Sequence, residues 1–186
     1  MTITPEDIER FSRQVLVKEV GVKGLAKIRK TRIAIIGCGA TGTVQAELLA
    51  RLGVGFIRVV DKDYVDLSNL PRTQLFDYKD AKEAIPKAIA CAEKIRKIDP
   101  NVEVEPVITR VTGSNIVKLI EDVDIVVDGT DNLLTRFIIN DAVIKLNKPW
   151  VFVGAVTWYG NVLFVNPGKR SLSQGLSKYP CLHFYF

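Results

Sequence analysis

Charged and amide side chains suited to binding phosphate and Mg²⁺ recur in three short segments of this sequence. Asp63, Asn69 and Arg72 lie in DKDYVDLSNLPRTQLF, Lys87 lies in AIPKAIA, and Asp131 and Asn132 lie in VDGTDNLLTR. When pyrophosphate leaves a nucleotide, negative charge develops on phosphate oxygens, and fixed cations together with Mg²⁺ stabilise that charge. Arg72 and Lys87 would supply the cations, and Asp131 would bind Mg²⁺, which prefers carboxylate and phosphate oxygens. The residue types therefore predict attack on a phosphorus atom.

Each of these residues also has an ordinary structural explanation when it is taken alone. Lys87 could solvate a helix, Asp131 could cap the helix that follows it, and Arg72 could form a surface ion pair. The hypothesis depends on whether the loops that carry them meet. Two of these loops follow predicted parallel strands, and Lys87 lies near the start of a helix; the carboxyl ends of parallel strands share one edge of a sheet. We therefore expect the side chains to converge at that edge.

A glycine-rich turn supplies a second indication of nucleotide binding. Gly37, Gly39 and Gly42 follow the apolar start of IAIIGCGATGTV at the G-x-G-x-x-G spacing. The first glycine permits the tight turn, the second lets the backbone approach phosphate, and the third lets the next helix pack closely. Asp61, at the end of the next strand, is placed to accept hydrogen bonds from ribose hydroxyls. The pattern predicts a nucleotide site, with a glycine turn used only for packing as the alternative.

The glycine turn does not distinguish NAD from ATP, so the choice depends on the charged cluster. A dehydrogenase must cover a flat nicotinamide beside an uncharged reacting carbon, and clustered cations with an extra acid serve that task poorly. We therefore favour ATP as the nucleotide. A nicotinamide dehydrogenase stays open as an alternative that tight NADH binding without ATP affinity would support.

Apolar runs rich in Val and Ile alternate with segments of helical period along most of the chain. The predicted strands are 32–36, 56–60, 102–108, 124–128 and 150–154, and the predicted helices are 43–52, 82–97, 115–120 and 133–146. This alternation implies right-handed crossovers between parallel strands. The predicted fold is α/β, with a doubly wound, mostly parallel Rossmann-like sheet that binds ligands at the carboxyl ends of its strands.

The two ends of the chain differ from this alternating pattern. Thr4 followed by Pro5 and two acids is typical of a helix start, and it predicts an N-terminal helical extension over 4–30. A further strand is predicted within 160–168, closed by a Pro-Gly turn. We expect residues 1–168 to form one ATP-binding domain and residues 169–186 to form an irregular tail.

Composition and charge indicate where the protein is located and which classes of partner it lacks. The chain has 186 residues, a formal charge of +5 and three scattered cysteines with no metal-knuckle spacing. Without an apolar signal or spanning segment, we expect a cytoplasmic protein that does not enter a membrane. The basic run between Lys23 and Arg32 lacks interleaved aromatic residues, so we expect no nucleic-acid partner.

Seven ordered blocks between Arg10 and about Gly168 resemble the ThiF/MoeB/HesA family, relatives of ubiquitin-activating enzymes. The blocks are RFSRQ, IIGCGATG, LARLGVGFIRVVDKDYVDLSNLPR, PKA, IDPNVEV, DIVVDGTDNLLTR and GAVTWYGNV. The resemblance implies ATP-dependent adenylylation of the C-terminal Gly-Gly carboxylate of a ubiquitin-fold sulfur-carrier protein, with release of pyrophosphate. A related branch that activates a carboxyl on modified tRNA fits less well, because SNLPR and GNVLFVNPG look more like the sulfur-carrier branch.

The resemblance also implies roles for individual residues. Gly39 would line the nucleotide site, Asp61 would hold the ribose, Asn69, Arg72 and Lys87 would contact the phosphates, and Asp131 would bind Mg²⁺ with Asn132 beside it. Arg13 resembles an arginine finger that reaches the triphosphate of the opposite subunit in a homodimer. We therefore expect a homodimer with ATP and Mg²⁺ as cofactors.

Two features depart from the family pattern. After the arginine at position 72 the family usually has Gln followed by Thr or a similar residue, whereas this chain has Thr73 followed by Gln74. No phosphate role is therefore assigned to Gln74. Relatives carry two C-x-x-C pairs that bind zinc, whereas this chain has Cys181 with Phe184 at the partner position, which predicts that the zinc site is absent. The expected explanation is truncation or a shifted reading frame. A shortened, non-catalytic ATP-binding module is accordingly the alternative function, and no catalytic cysteine is assigned.

Overall fold

A six-stranded sheet is the centre of the computed structural model, which describes residues 3–167. The strands are β1 (Arg32–Ile36), β2 (Phe56–Val60), β3 (Glu103–Val107), β4 (Ile125–Asp128), β5 (Trp150–Val156) and β6 (Tyr159–Val165). Their order is β3-β2-β1-β4-β5-β6. The first five strands pair in parallel, and β6 pairs antiparallel with β5. The prediction of a mostly parallel Rossmann-like sheet is confirmed.

Helices cover both faces of this sheet. Within the described residues they are α1 (Pro5–Arg10), α2 (Ser12–Val15), α3 (Gly21–Lys30), α4 (Ala40–Leu52), α5 (Tyr78–Lys82), α6 (Lys87–Ile98), α7 (Ile116–Ile120) and α8 (Leu133–Lys145). Because side chains alternate along a strand, Ile33 and Ile35 of β1 share one core with α4 and α6. Ala34 and Ile36 share the other core with α7 and α8. The sheet is therefore doubly wound.

Proline divides the region that was predicted as one helix over 82–97. The helix α5 ends at Lys82, and α6 begins at Lys87 directly after Pro86. The residue before a proline is disfavoured in helical conformation, and Ala84 adopts a positive φ of 47° in the intervening turn. Lys87 thus becomes the first residue of α6, at a helix N-terminus that carries partial positive charge.

The N-terminal extension comprises the three helices α1, α2 and α3. The predicted start is confirmed, because Thr4 Oγ1 accepts from the Asp7 N–H at 3.1 Å and Asp7 Oδ2 accepts from the Thr4 N–H at 3.0 Å. Asp7 Oδ1 also accepts from Arg29 at 2.6 Å, and Arg29 pairs with Asp99 at 2.8 Å. This buried network fastens α1 to α3 and to the end of α6.

Two predictions about the ends of the chain have different outcomes. The predicted last strand is present as β6, although it begins at Tyr159 and ends at Val165. The predicted tail over 169–186, with Cys181 and His183, lies outside the described residues. Among residues 3–167, no helix combines the length and the hydropathy needed to span a bilayer.

Candidate functional site

The glycine turn joins β1 to α4 at the carboxyl edge of the sheet. Gly37 has a φ of +90°, and a Cβ there would lie 2.7 Å from the carbonyl of Gly129. A Cβ on Gly42 would lie only 2.0 Å from the Gly37 carbonyl oxygen, whereas a Cβ on Gly39 would meet nothing within 4 Å. Gly37 and Gly42 therefore permit close backbone packing, and Gly39 leaves space open beside the first turn of α4.

A cavity of about 560 Å³ lies at this edge, within the usual range for small-molecule sites. Eight predicted site residues line it: Gly37, Gly39, Asp61, Asp63, Arg72, Lys87, Asp131 and Asn132. They come from loops that are far apart in the sequence and follow different strands or precede a helix. The expected convergence at the carboxyl ends of the strands is present.

Asp61 ties the glycine turn to the loop after β2. Its Oδ2 accepts a hydrogen bond from the Cys38 N–H at 2.7 Å, and its Oδ1 accepts from the Asp63 N–H at 2.8 Å. Each carboxylate oxygen has two lone-pair directions, so both oxygens keep one acceptor site. The carboxylate is held rigidly at the cavity and can still accept hydrogen bonds from a pair of hydroxyl groups.

Asp63 and Lys87 form a charged pair on one side of the cavity. The Lys87 backbone N–H donates to the Asp63 carbonyl at 2.8 Å, and its Nζ lies 3.9 Å from Asp63 Oδ2. A hydrogen bond from Lys62, aided by the charges of Lys87 and Arg110, lowers the pKa of Asp63. Asp63 is therefore ionised at neutral pH and balances part of this positive charge.

Arg72 lies in the segment that follows the 3₁₀ turn Leu67–Asn69. One guanidinium nitrogen, Nη1, donates to the Ser68 carbonyl at 2.5 Å, which fixes the side chain across the turn. Arg72 is exposed and lines the cavity. Its five donors and permanent charge suit a phosphate group.

Asp131 and Asn132 lie between β4 and α8. Asn132 caps α8 by accepting the Thr135 N–H at 2.9 Å, so the alternative explanation of Asp131 as the cap is wrong. The Asp131 carboxylate is exposed at the cavity and accepts from the Asn132 amide at 3.4 Å. It is free to interact with a ligand.

The expected Mg²⁺ requires oxygen ligands from side chains, water or substrate. No cluster of three or more His, Cys, Asp or Glu side chains suited to a metal occurs among residues 3–167. Mg²⁺ in nucleotide sites usually takes one or two carboxylates and completes its shell with water and substrate phosphates. The exposed carboxylate of Asp131 fits that arrangement as one protein ligand. Phosphate oxygens of a bound nucleotide would have to supply further ligands.

Three predicted site residues lie outside the cavity lining. Gly42 packs against Gly37, as described above. Asn69 is 7% exposed, and its Oδ1 accepts the Asp66 N–H at 3.1 Å, so it stabilises the turn that leads to Arg72. Arg13 is exposed on α2 and does not reach the cavity of its own chain.

Some lining residues were not predicted from the sequence. The loop after β3 contributes Thr109 to Gly113, with Arg110 at the rim, and α8 contributes Arg136. The available signal for the loop was its position after a parallel strand at the same sheet edge. For Arg136 the signal was its place in the block DIVVDGTDNLLTR.

The two described cysteines belong to the core. Cys38 and Cys91 are fully buried, and burial raises the pKa of the Cys38 thiol well above its usual range. A neutral, buried thiol is a poor nucleophile. The prediction that Cys38 and Cys91 pack rather than react agrees with this geometry.

Sequence comparisons identify curated relatives that match most of this chain. The sulfur carrier protein ThiS adenylyltransferase of Bacillus subtilis is 42% identical over 174 residues, which cover 94% of this chain and 49% of that protein. A sulfur carrier protein adenylyltransferase of Thermus thermophilus is 34% identical over 162 residues, covering 87% and 59%. The chain therefore spans about half the length of these relatives.

A solved structure extends the comparison to a nucleotide complex. The E. coli tRNA N6-threonylcarbamoyladenosine dehydratase in complex with ATP superposes with a TM-score of 0.72 at 26% identity, over 81% of this chain and 60% of that one. The model of the ThiF family matches residues 11–182. The chain belongs to the ThiF family.

Proposed function

We propose that this protein adenylylates the C-terminal carboxylate of a ubiquitin-fold sulfur-carrier protein, using ATP and Mg²⁺ and releasing pyrophosphate. The observation that carries the proposal is the convergence of Arg72, Lys87 and Asp131 on one cavity beside the glycine turn. The names of the two curated relatives described above support the reaction and the carrier.

The nucleotide would bind along the carboxyl edge of the sheet. The first turn of α4 has no side-chain cap, so its N–H groups are available to phosphate oxygens, as at other helix N-termini. Asp61 would accept the ribose hydroxyls through the acceptor sites that Cys38 and Asp63 leave open. Arg72 and Lys87 would contact the phosphates.

In the reaction, a carboxylate oxygen of the carrier attacks the α-phosphorus of ATP. A bond forms between that oxygen and phosphorus, the bond from phosphorus to the bridging oxygen breaks, and pyrophosphate takes the electron pair. Because a carboxylate is already ionised at neutral pH, the site needs no general base. Arg72 and Lys87 stabilise the charge on the departing pyrophosphate. When bound at Asp131, Mg²⁺ supplies further neutralisation of the phosphates.

A second copy of the chain would complete the site through Arg13. Arg13 is exposed on α2, and the ion pairs of Arg29 hold the neighbouring α1 against the rest of the molecule. We propose a homodimer in which Arg13 of each copy reaches the phosphates bound by the other, and the exposure of Arg13 is compatible with that role. We place the reaction in the cytoplasm.

The alternative proposal is a non-catalytic module that binds ATP or a partner. ATP binding with no ATP–pyrophosphate exchange, tested with several ubiquitin-fold carriers, would favour this alternative. A carboxyl on modified tRNA receives less support, since the similarity to the dehydratase is 26% and that to the ThiS adenylyltransferase is 42%.

ATP–pyrophosphate exchange with candidate carriers tests the main proposal. Arg72→Ala and Asp131→Ala should each reduce exchange by about 10²- to 10³-fold, the usual cost of removing one transition-state contact. Arg51→Ala is the matched control, because Arg51 is also exposed but pairs with Glu47 on α4, outside the cavity lining. Exchange that survives both site substitutions would refute the proposal.

A further inference from the structure

Asp128, Thr130 and Arg136 form a hydrogen-bonded network beside Asp131, where β4 leads into α8. Asp128 is fully buried at the end of β4, and Arg136 of α8 is 5% exposed. Neither residue was assigned a role above. We propose that Arg136 is a positioning residue that orients Asp131 toward Mg²⁺ and ATP by holding the Thr130–Asp131 peptide. This inference rests on the nucleotide and metal site of the proposed function.

Both backbone polar groups of Thr130, its N–H and its carbonyl, are hydrogen-bonded to side chains. Asp128 Oδ1 accepts the Thr130 N–H at 2.8 Å and the Thr130 hydroxyl at 2.7 Å. Arg136 Nη2 donates to the Thr130 carbonyl at 2.6 Å. That carbonyl belongs to the peptide group that leads into Asp131, so the guanidinium sets the orientation of this peptide plane.

Arg136 connects this peptide to the rest of the sheet. The same Nη2 donates to the Val153 carbonyl in β5 at 2.9 Å, and Nε donates to Asp128 Oδ2 at 3.1 Å. The guanidinium carbon also lies 5.0 Å from the centre of the Phe152 ring. One planar group thus joins β4, β5 and the loop, which a lysine ammonium could not do in the same geometry.

Asp131 therefore lies between two fixed neighbours. Thr130 is fixed by Asp128 and Arg136, and Asn132 is fixed because it caps α8. The Asp131 carboxylate itself is exposed, and within residues 3–167 its one hydrogen bond is the long contact of 3.4 Å from Asn132. The backbone is rigid on both sides while the carboxylate remains available to a ligand, as expected for a preorganised metal ligand supported by a second layer of residues.

The test compares Arg136→Lys with Arg58→Lys in the full chain. Lysine at position 136 keeps a positive charge beside Asp128, which favours folding, but it cannot span the two carbonyls. Arg58 is a matched control, because it is similarly buried and bonds Glu105, Asp122 and the Leu119 carbonyl outside the cavity lining. Thr130→Val, which removes only the hydroxyl bond to Asp128, is the milder second variant.

Two measurements distinguish positioning from general stability. In Arg136→Lys, peptides covering residues 129–132 should exchange backbone hydrogen roughly tenfold or more faster, while peptides from β1 and β2 stay unchanged. Isothermal titration of ATP with Mg²⁺ should show an affinity about 10- to 100-fold weaker, the usual effect of losing a residue that orients a metal ligand. ATP affinity without Mg²⁺ should change much less, and Thr130→Val should give a smaller effect of the same kind.

The inference is overturned if residues 129–132 stay protected in Arg136→Lys, or if Arg58→Lys weakens Mg²⁺-dependent binding equally. Hydrogen exchange of the ligand-free chain decides the role of Arg136 in the loop even if the unaltered chain binds no ATP. In that case the proposed function fails and the orientation of Asp131 toward ATP fails with it, whereas a loop that loosens only in Arg136→Lys would show that Arg136 holds the Thr130–Asp131 peptide.

Discussion

The substitution Gly42→Ala should push the first turn of α4 away from the glycine turn at Gly37. A Cβ at this position would lie 2.0 Å from the Gly37 carbonyl oxygen, and ordinary van der Waals contact begins at 3.4 Å. The backbone of α4 must therefore move by more than 1 Å relative to the turn, since neither partner is a flexible side chain. Overpacking of this kind costs about 1–3 kcal/mol of folding free energy.

The same displacement moves the N–H groups of α4 away from the proposed phosphate site. A misplacement of about 1 Å can reduce a rate by roughly 10²-fold, so Gly42→Ala should lose both stability and exchange activity. Gly39→Ala is the matched comparison, because its Cβ would meet nothing within 4 Å and would project into open space at the cavity. It should fold with a stability within about 1 kcal/mol of the unaltered chain and still bind ATP poorly.

Urea unfolding and titration calorimetry with ATP check both variants. The expected result is that Gly42→Ala lowers the urea midpoint and the ATP affinity, whereas Gly39→Ala lowers the ATP affinity alone. Equal stability of Gly42→Ala and the unaltered chain would refute the packing argument. Normal ATP affinity in Gly39→Ala would show that phosphate does not approach this turn.

Two further predictions concern ion pairs outside the cavity. Hydrogen bonds from Arg58 lower the pKa of Asp122 far below its usual range, so this carboxylate stabilises the fold above its unfolded pKa of about 3.9 and loses that effect as the pH falls. The stability difference between the unaltered chain and Asp122→Asn, measured by thermal unfolding, should therefore be largest near neutral pH and shrink below about pH 4; a constant difference would contradict this. Arg29→Met removes the buried guanidinium that pairs with both Asp7 and Asp99. It should destabilise the fold by about 3–5 kcal/mol in urea unfolding, and an undiminished urea midpoint would be the contradicting result.

Local chemistry determined much of what could be predicted from the sequence. The strands were recognisable because doubly buried parallel strands require near-continuous Val and Ile, and β1 and β2 have the predicted bounds. The start of α1 could be predicted because Thr4 caps it through a hydrogen bond from the Asp7 N–H, only three residues further along the chain. Gly37 and Gly42 were identified correctly because close backbone packing excludes every other residue type.

Two further side chains make short-range contacts that their sequence patterns did not predict. The resemblance predicts that Asn69 contacts the phosphates, and the structure adds that its Oδ1 accepts the Asp66 N–H in the turn before Arg72. The sequence left open whether Asp131 caps α8, and the structure gives that role to Asn132.

The hydrogen bonds of Arg136 were not predicted from the sequence, although Arg136 lies in the block DIVVDGTDNLLTR. Arg136 is held by Asp128 on β4 and by the Val153 carbonyl on β5, and such a network exists only once both strands have paired. The sequence determined which residues could bind nucleotide and the sheet edge at which they would meet. Which side chains face the cavity and which support them depended on long-range packing, since a side chain's partners are set by distance in the folded chain.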